Sequence, residues 1–353
     1  MNYICTWLCA DVKGEESIYP QTGEKSSGQK HQNIYWRCLV LFYATSKRFN
    51  KTQKHLLFTN VNVLPEVDGK SVQHMLDELG VEVIFTDFKY KTPKGYFNLF
   101  QNQFYEFSIL EYIVGHNKNP EDKYLIVDSD CIFTKAADEL FSEAEANNGF
   151  ISFEDACSTE LVIHGLSRVD MKHLYEDLSG VVLDEIPGYH LGEFFLASVK
   201  NINTIFSDFL ELWPELMRRH TKGLPKFNEE AQTLSYIYHK NGFKASPRTD
   251  LLKRIWTNPV FYRNVEKTDP EVTIWHLPSE KTYGLARLYE TLVNTSADYG
   301  MALSDKAYLD TVKTTLGIPY LTLSMRLEYY VLSYYRALRK RAKKIKFLPK
   351  AAL

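Results

Sequence analysis

Short unbroken apolar runs alternate along this chain with longer stretches in which apolar residues recur every three or four positions. YICTW (3–7) and HLLFTN (55–60) read as strands, and between them Ile34 to Phe49 follows a helical period. Ser71 to Leu79 predicts a helix closed by Gly80, with strand VEVIFTDF (81–88) after it. A longer helix is expected from Phe97 to Val114, stopped by Gly115, and it leads into strand KYLIVDSD (123–130). Strand, helix and strand in this order are the grammar of an α/β nucleotide-binding layer. After Gly149 the alternation loosens: strand GFISFE, helix VDMKHLYEDL, strand-like GYHLGEFFLAS, then helices near 201–219 and 229–240. Two subdomains sharing one sheet fit this pattern better than two separable domains.

Composition narrows the picture. With 353 residues, 44% hydrophobic and 14% aromatic, the chain has ample apolar surface to offset chain entropy, so disorder is excluded as its main state. A formal net charge of -2 argues against a whole-chain polyanion binder, and no nucleic-acid partner is expected. The balance is uneven, however: between Arg326 and Lys350 stand nine Lys/Arg against one acid, Glu328, so the body is acidic and the tail basic. Cys5, Cys9, Cys38, Cys131 and Cys157 form no CxxC pair and lie in apolar stretches, which suits buried reduced thiols. The start of the chain does not resemble a signal peptide, and no run of 18 apolar residues occurs. A cytoplasmic location is expected.

The strongest chemical signal is Tyr-Leu-Ile-Val-Asp128-Ser129-Asp130. The apolar run is a strand buried on both faces, and carboxylates two residues apart at its end lie on one side. Ligands of open α/β sheets bind beyond the carboxyl ends of strands. Two hard oxygen donors there suit Mn²⁺ or Mg²⁺ carrying a diphosphate, which would neutralise charge on a departing nucleotide. The alternative is a pair of strand-end turn carboxylates with no ion.

At this point the sequence resembles the GT-A glycosyltransferases, in which a strand-end DxD binds the metal and the sugar nucleotide. Two further stretches are similar to the retaining histo-blood-group A/B and α1,3-galactosyltransferase branch. Gly188-Tyr189-His190-Leu191-Gly192-Glu193-Phe194-Phe195-Leu196-Ala197-Ser198 resembles that family's Tyr-Tyr-Leu-Gly-Gly-Phe-Phe-Gly-Gly-Ser segment. Phe227-Asn228-Glu229-Glu230, followed by a helix and Lys244-Ala245-Ser246-Pro247, resembles its Trp-His-Asp-Glu followed by Lys-x-Leu-Ser-Pro. The likeness covers roughly residues 50–255. Phe227 stands where the family has Trp, Asn228 where it has His, and QNQFYEF lacks the family's Arg. The resemblance implies a GT-A fold, a Rossmann-like mixed sheet flanked by helices, to which the tail's own pattern adds a basic helical C-terminal extension. Residues 1–130 would form the nucleotide-sugar-binding half, 131–285 the acceptor and catalytic half of the same domain, and 286–353 the extension. It also implies transfer of a hexose from a UDP-sugar to a saccharide acceptor, with retention.

Under that resemblance Glu230 takes the position of the catalytic glutamate, with Glu229 its nearest rival; otherwise Asn228 caps the helix and both acids complement its dipole. Donor contacts are expected from Thr6, Trp7, Asp128, Ser129, Asp130, His190, Gly192, Glu193 and Lys281. Acceptor contacts are expected from Phe227, Asn228 and Glu230. By analogy His276, ending strand Ile274-Trp275-His276, is the third metal ligand and Lys281 meets the diphosphate; a packed surface histidine is the plainer reading. His164, His173 and His239 carry no pattern. Two other functions compete: a Mg²⁺-dependent phosphatase of the haloacid-dehalogenase type, which lacks its second acidic motif here, and a non-catalytic sugar-nucleotide or membrane adaptor. From Leu327 the tail sets Leu327, Tyr330, Val331, Tyr334, Leu338 and Ile345 at helical spacing, beside Arg336, Arg339, Lys340, Arg341, Lys343, Lys344 and Lys346. Tyrosines beside a basic run suit an anionic membrane surface, where a lipid-linked glycan acceptor would be met; a helix packed on the body is the alternative.

Overall fold

The structure is a computed structural model that describes residues 1–16, 19, 22 and 24–346, with side chains as far as 338. The chain opens with β1 (Asn2–Leu8), α1 (Gln29–Phe49), β2 (Lys54–Thr59) and a small hairpin, β3 (Glu66–Val67) and β4 (Lys70–Ser71). There follow α2 (Val72–Glu78), β5 (Val81–Phe85), α3 (Tyr105–His116), β6 (Lys123–Val127), β7 (Cys131–Phe133) and α4 (Asp138–Ala146). The second half holds β8 (Phe150–Ile151), α5 (Arg168–Ser179), β9 (Phe194–Ser198), α6 (Val199–Thr221), α7 (Glu230–Lys240), β10 (Leu252–Arg254) and β11 (Ile274–His276). Helices α8 (Gly284–Tyr289), α9 (Asp305–Leu316) and α10 (Leu323–Lys346) complete it.

Six strands form one sheet in the order β5-β2-β1-β6-β9-β8. β5, β2, β1 and β6 run parallel, while β9 is antiparallel to both β6 and β8. The α/β expectation is therefore met by a parallel-rich mixed sheet, and β8 and β9 of the second half hydrogen-bond into the same sheet as β6. Side-chain alternation along β1 explains its two-sided burial: Ile4 and Leu8 enter a core with α1, α8 and α9, whereas Cys5 and Cys9 enter one with α3, α6 and α7. Chain order reverses between β1 and β6, because β2 lies on one side of β1 and β6 on the other. That reversal opens a crevice beyond the strands' carboxyl ends.

Several boundaries shift. The long helix expected from Phe97 starts only at Tyr105, because Phe100 takes a left-handed φ of 50° and a 3₁₀ turn over Gln101–Phe104 intervenes. It then runs through Gly115 to His116. Of the stretch 188–198 only Phe194–Ser198 is strand; the residues before it leave the ladder, touching it through the Glu154–His190 bridge. β5 ends at Phe85, three residues before the expected end. Residues 284–318 are no separate appendage, since Leu285, Tyr308, Val312 and Ile318 are buried in the core beside α1. Among the described residues no helix is long and apolar enough to cross a membrane.

Candidate active site

β6 delivers Asp128, Ser129 and Asp130 to the crevice, where the chain turns at once into β7, the Cys131 N–H donating to the Asp128 carbonyl at 3.1 Å. β7 belongs to a second sheet, ordered β10-β11-β7. Its register sets His276 opposite Cys131 on one side and opposite Arg254 on the other. This pairing brings a histidine from 146 positions downstream of Asp130 to the strand end. His276 Nε2 lies 3.2 Å from Asp130 Oδ2 and 3.7 Å from Asp128 Oδ2, and one ligand atom from each of the three residues falls within 4.8 Å of the others.

Charges here compensate one another. Lys281 Nζ donates to Asp130, Arg254 makes a two-pronged contact to Glu193, and Glu193 Oε1 lies 3.0 Å from His276 Nδ1. Burial alone would raise the Asp130 and Glu193 pKa values, but the adjacent Lys281, Arg254 and His276 hold both well below the carboxylate range. Burial would likewise lower His276, yet Asp130 and Glu193 lift it to about 9. Asp128, with only the more distant His276 beside it, is raised to about 6 by burial and by Asp130. Two carboxylates and one imidazole are a donor set that Mn²⁺ or Mg²⁺ accepts. The Glu193 contact fits as well: it engages Nδ1 and leaves Nε2 for the aspartate side, the usual outer support of a ligating histidine.

Facing this cluster is a cavity of about 270 Å³ lined by Trp7, Tyr35, Phe100, His164, Gly192 and Glu230 among others. The start of α7 also lines it, through Glu229, Glu230 and Ala231, and the Phe-Asn-Glu-Glu motif separates there into four roles. Phe227 is wholly buried among core aromatics, edge-on to Tyr175, and does not line the cavity. Asn228 does not cap the helix; Glu229 occupies the N-cap position, and the Asn228 side chain instead donates to the His164 carbonyl at 3.0 Å. Glu229 is buried, accepting from Tyr189 OH at 2.5 Å and contacting His164 Nδ1. Glu230 lines the cavity, and its Oε2 has no hydrogen-bond partner among the described residues. Burial, then Glu229 and Glu106, push its pKa well above the carboxylate range. Gly192 is required beside it: a Cβ there would stand 2.6 Å from Glu230 Oε1.

The cavity thus gathers Trp7, Asp128, Ser129, Asp130, Gly192, Glu193, Glu229, Glu230, His276 and Lys281 from the residues singled out in the sequence. Thr6, His190, Phe227 and Asn228 are not among its lining. Thr6 is fully buried inside β1. His190 is a core histidine, its Nδ1 2.7 Å from Ser152 Oγ and its pKa lowered by burial to about 4. Sequence reasoning missed Arg254, Tyr35 and His164. A signal for His164 did exist: His164-Gly165 between Ile163 and Leu166 reads as a tight-turn dipeptide, but nothing local says what the imidazole meets.

No family model matches the chain, and no curated protein matches it by sequence. Among solved structures, mouse xyloside xylosyltransferase 1 in its apo form is similar at 14% identity and a TM-score of 0.44, over 78% of this chain and 98% of that one. The galactosyltransferase LgtC, in complex with donor and acceptor sugar analogues, is similar at 10% identity and a TM-score of 0.44, over 92% of this chain and 99% of that one. Scores at this level describe a loose overall likeness; what the cavity can do is set by its side chains.

Proposed function

We propose that this chain is a metal-dependent GT-A glycosyltransferase that moves a hexose (galactose, glucose or an N-acetyl form) from a UDP-sugar to a saccharide acceptor with retention. The observation that carries the reading is the meeting of Asp128, Asp130 and His276 at a strand-end crevice, across a cavity from the uncompensated carboxyl of Glu230. These three residues would hold Mn²⁺ or Mg²⁺, which supplies Lewis-acid neutralisation of the departing diphosphate. Lys281 lies beside the same aspartate and adds a fixed positive charge for the phosphates. Trp7, at the carboxyl end of β1, offers a ring to the nucleotide base. Glu230 and Gly192 form the sugar wall: the glycine lets the ring approach the backbone, and the carboxyl meets its anomeric face. A haloacid-dehalogenase phosphatase fits less well, because the third group beside Asp128 and Asp130 is an imidazole rather than a second acidic motif.

We also place the enzyme at the cytosolic face of an anionic membrane, with a lipid-linked glycan as acceptor. On α10, Leu327, Tyr330, Val331, Tyr334 and Leu338 are exposed at helical spacing, and Arg336 is tied to the body through the Val260 carbonyl at 2.6 Å. The side chains of Arg339, Lys340, Arg341, Lys343, Lys344, Ile345 and Lys346 lie outside the described residues. Deleting 336–353 should abolish sedimentation with anionic liposomes at low salt while sparing UDP-sugar hydrolysis; equal sedimentation of both forms refutes the anchor. The transferase reading is tested by a donor screen with Mn²⁺ that scores UDP release and the anomeric configuration of any product. Release that persists undiminished in excess EDTA would overturn it.

A further inference from the structure

His164 sits in the turn Ile163-His164-Gly165-Leu166, closed by paired backbone hydrogen bonds between Ile163 and Leu166. Both central residues have positive φ, 47° at His164 and 86° at Gly165. Such turns favour Asn-Gly, and a histidine there accepts a backbone conformation that few non-glycine residues adopt. Three side chains from the start of α7, more than sixty residues away, hold it in place. Asn228 donates to the His164 carbonyl and Gln232 to the Ile163 carbonyl, each at 3.0 Å, while Glu229 engages the imidazole. Gly165 is part of the fit, since a Cβ there would stand 2.8 Å from Asn228 Nδ2. Phe100, itself left-handed, packs its ring 5.0 Å from the imidazole at the cavity wall. A backbone conformation so over-determined, ending in one side chain at a cavity, is the arrangement in which positioning serves a ligand.

The contacts have an order. From the metal-capable cluster they pass through Glu193 to its neighbour Gly192, from Gly192 to Glu230, and from Glu229 to His164. His164 therefore lines the same cavity as Asp128 and Asp130, linked directly to Glu229 next to the carboxyl that would face the transferred sugar. Glu229 is itself fixed by Tyr189 OH and occupies Nδ1, so Nε2 is the nitrogen left to a ligand.

We propose that His164 forms the acceptor subsite: its Nε2 accepts the hydrogen bond of the incoming saccharide hydroxyl, and Glu229 and Asn228 are its positioning residues. The proposal rests on the transferase reading, and the experiment separates the two. His164→Asn keeps a residue suited to the turn and removes the nucleophile-facing nitrogen. With Mn²⁺, UDP release from UDP-galactose and UDP-glucose would be followed for wild type, His164→Asn and Glu229→Ala, with water and then a set of p-nitrophenyl glycosides as acceptors. The expected result is a fall of roughly tenfold or more in the rate of both variants, a raised KM for any glycoside used, and an unchanged UDP dissociation constant and melting temperature for His164→Asn. Wild-type rate and acceptor KM in His164→Asn would overturn the acceptor subsite alone. No UDP release from the wild-type chain with any donor would overturn the transferase reading, and this inference with it.

Discussion

The two walls of the cavity handle buried charge in opposite ways. At the strand-end wall every carboxylate has a cation beside it: Lys281 on Asp130, Arg254 and His276 on Glu193, and His276, at a longer 3.7 Å, on Asp128. At the α7 wall burial and other carboxyls, chiefly Glu229 and Glu106, outweigh the backbone hydrogen bond that Glu230 accepts, and the buried Glu106 is itself raised to about 8. Opposite charges favour ionisation and like charges oppose it, so one wall favours ionised carboxylates and the other opposes them. A diphosphate with its divalent ion belongs at the first. A neutral sugar, whose charge appears only during reaction, belongs at the second.

The comparison breaks most visibly at the aspartates. Asp128→Asn and Asp130→Asn should each abolish transfer and weaken UDP binding in Mn²⁺, yet their stabilities should diverge. Asp130→Asn strands the buried Lys281 ammonium and costs about 3 kcal/mol, as broken buried pairs do. Asp128→Asn removes a repelled charge and should leave the melting temperature of the metal-free protein unchanged or higher. Activity together with melting curves in EDTA checks this; equal destabilisation by both would mean that Lys281 is not held by Asp130.

A second pair sharpens the α7 wall. Glu230→Gln keeps the side chain's shape and removes a charge that burial and its neighbours oppose, so it should not destabilise the fold, while kcat falls at least ~10² with little change in UDP affinity. Glu229→Gln should do less, because an amide oxygen still accepts from Tyr189. Gly192→Ala should fall between them, about tenfold, by displacing the Glu230 carboxyl. If Glu229 proved the more sensitive, the roles within the motif would be exchanged.

The smallest effect is on pH-dependent stability, and its sign differs between histidines. His55 and His190 are buried neutral, with pKa values lowered by burial to about 3 and 4. In the unfolded chain both titrate near 6.5, so the stability they contribute is complete above that pH and is lost as pH falls toward about 4 and then 3. His276, raised to about 9, does the reverse: its contribution is complete below about 6.5 and lost as pH rises through about 9. Thermal melts in EDTA between pH 5 and 9.5 should fall at both ends, and Mn²⁺ should remove the alkaline loss, since a bound ion replaces the proton on His276. A monotonic profile would contradict this assignment.

Much of the fold could be read locally. β1, β2, β6 and the helices α2, α5 and α6 lie within a few residues of their expected bounds because period and capping are properties of neighbouring residues. Ser71 accepts from the His74 N–H and Ser167 closes a capping box with Asp170, both legible as N-cap signals. Asp128 and Asp130, at the end of such an element, line the cavity, and neighbouring residues of one motif diverge in space: Glu230 lines it, whereas Phe227 and Asn228 do not.

Sequence by itself determined the strand-helix alternation, the central β6 run buried on both faces, and the two carboxylates at its end. Those features need only the side chains' polarity and spacing. Tertiary structure decided that His276 stands beside them, because the β7–β11 register and not any local pattern sets that pairing. It also decided that His164 meets Glu229, that Lys281 rather than Arg254 neutralises Asp130, and that the surroundings oppose ionisation of Glu230 but favour it at Glu193. Each of these depends on which charge lies within a few ångströms in a buried site, and chain separation says nothing about that distance.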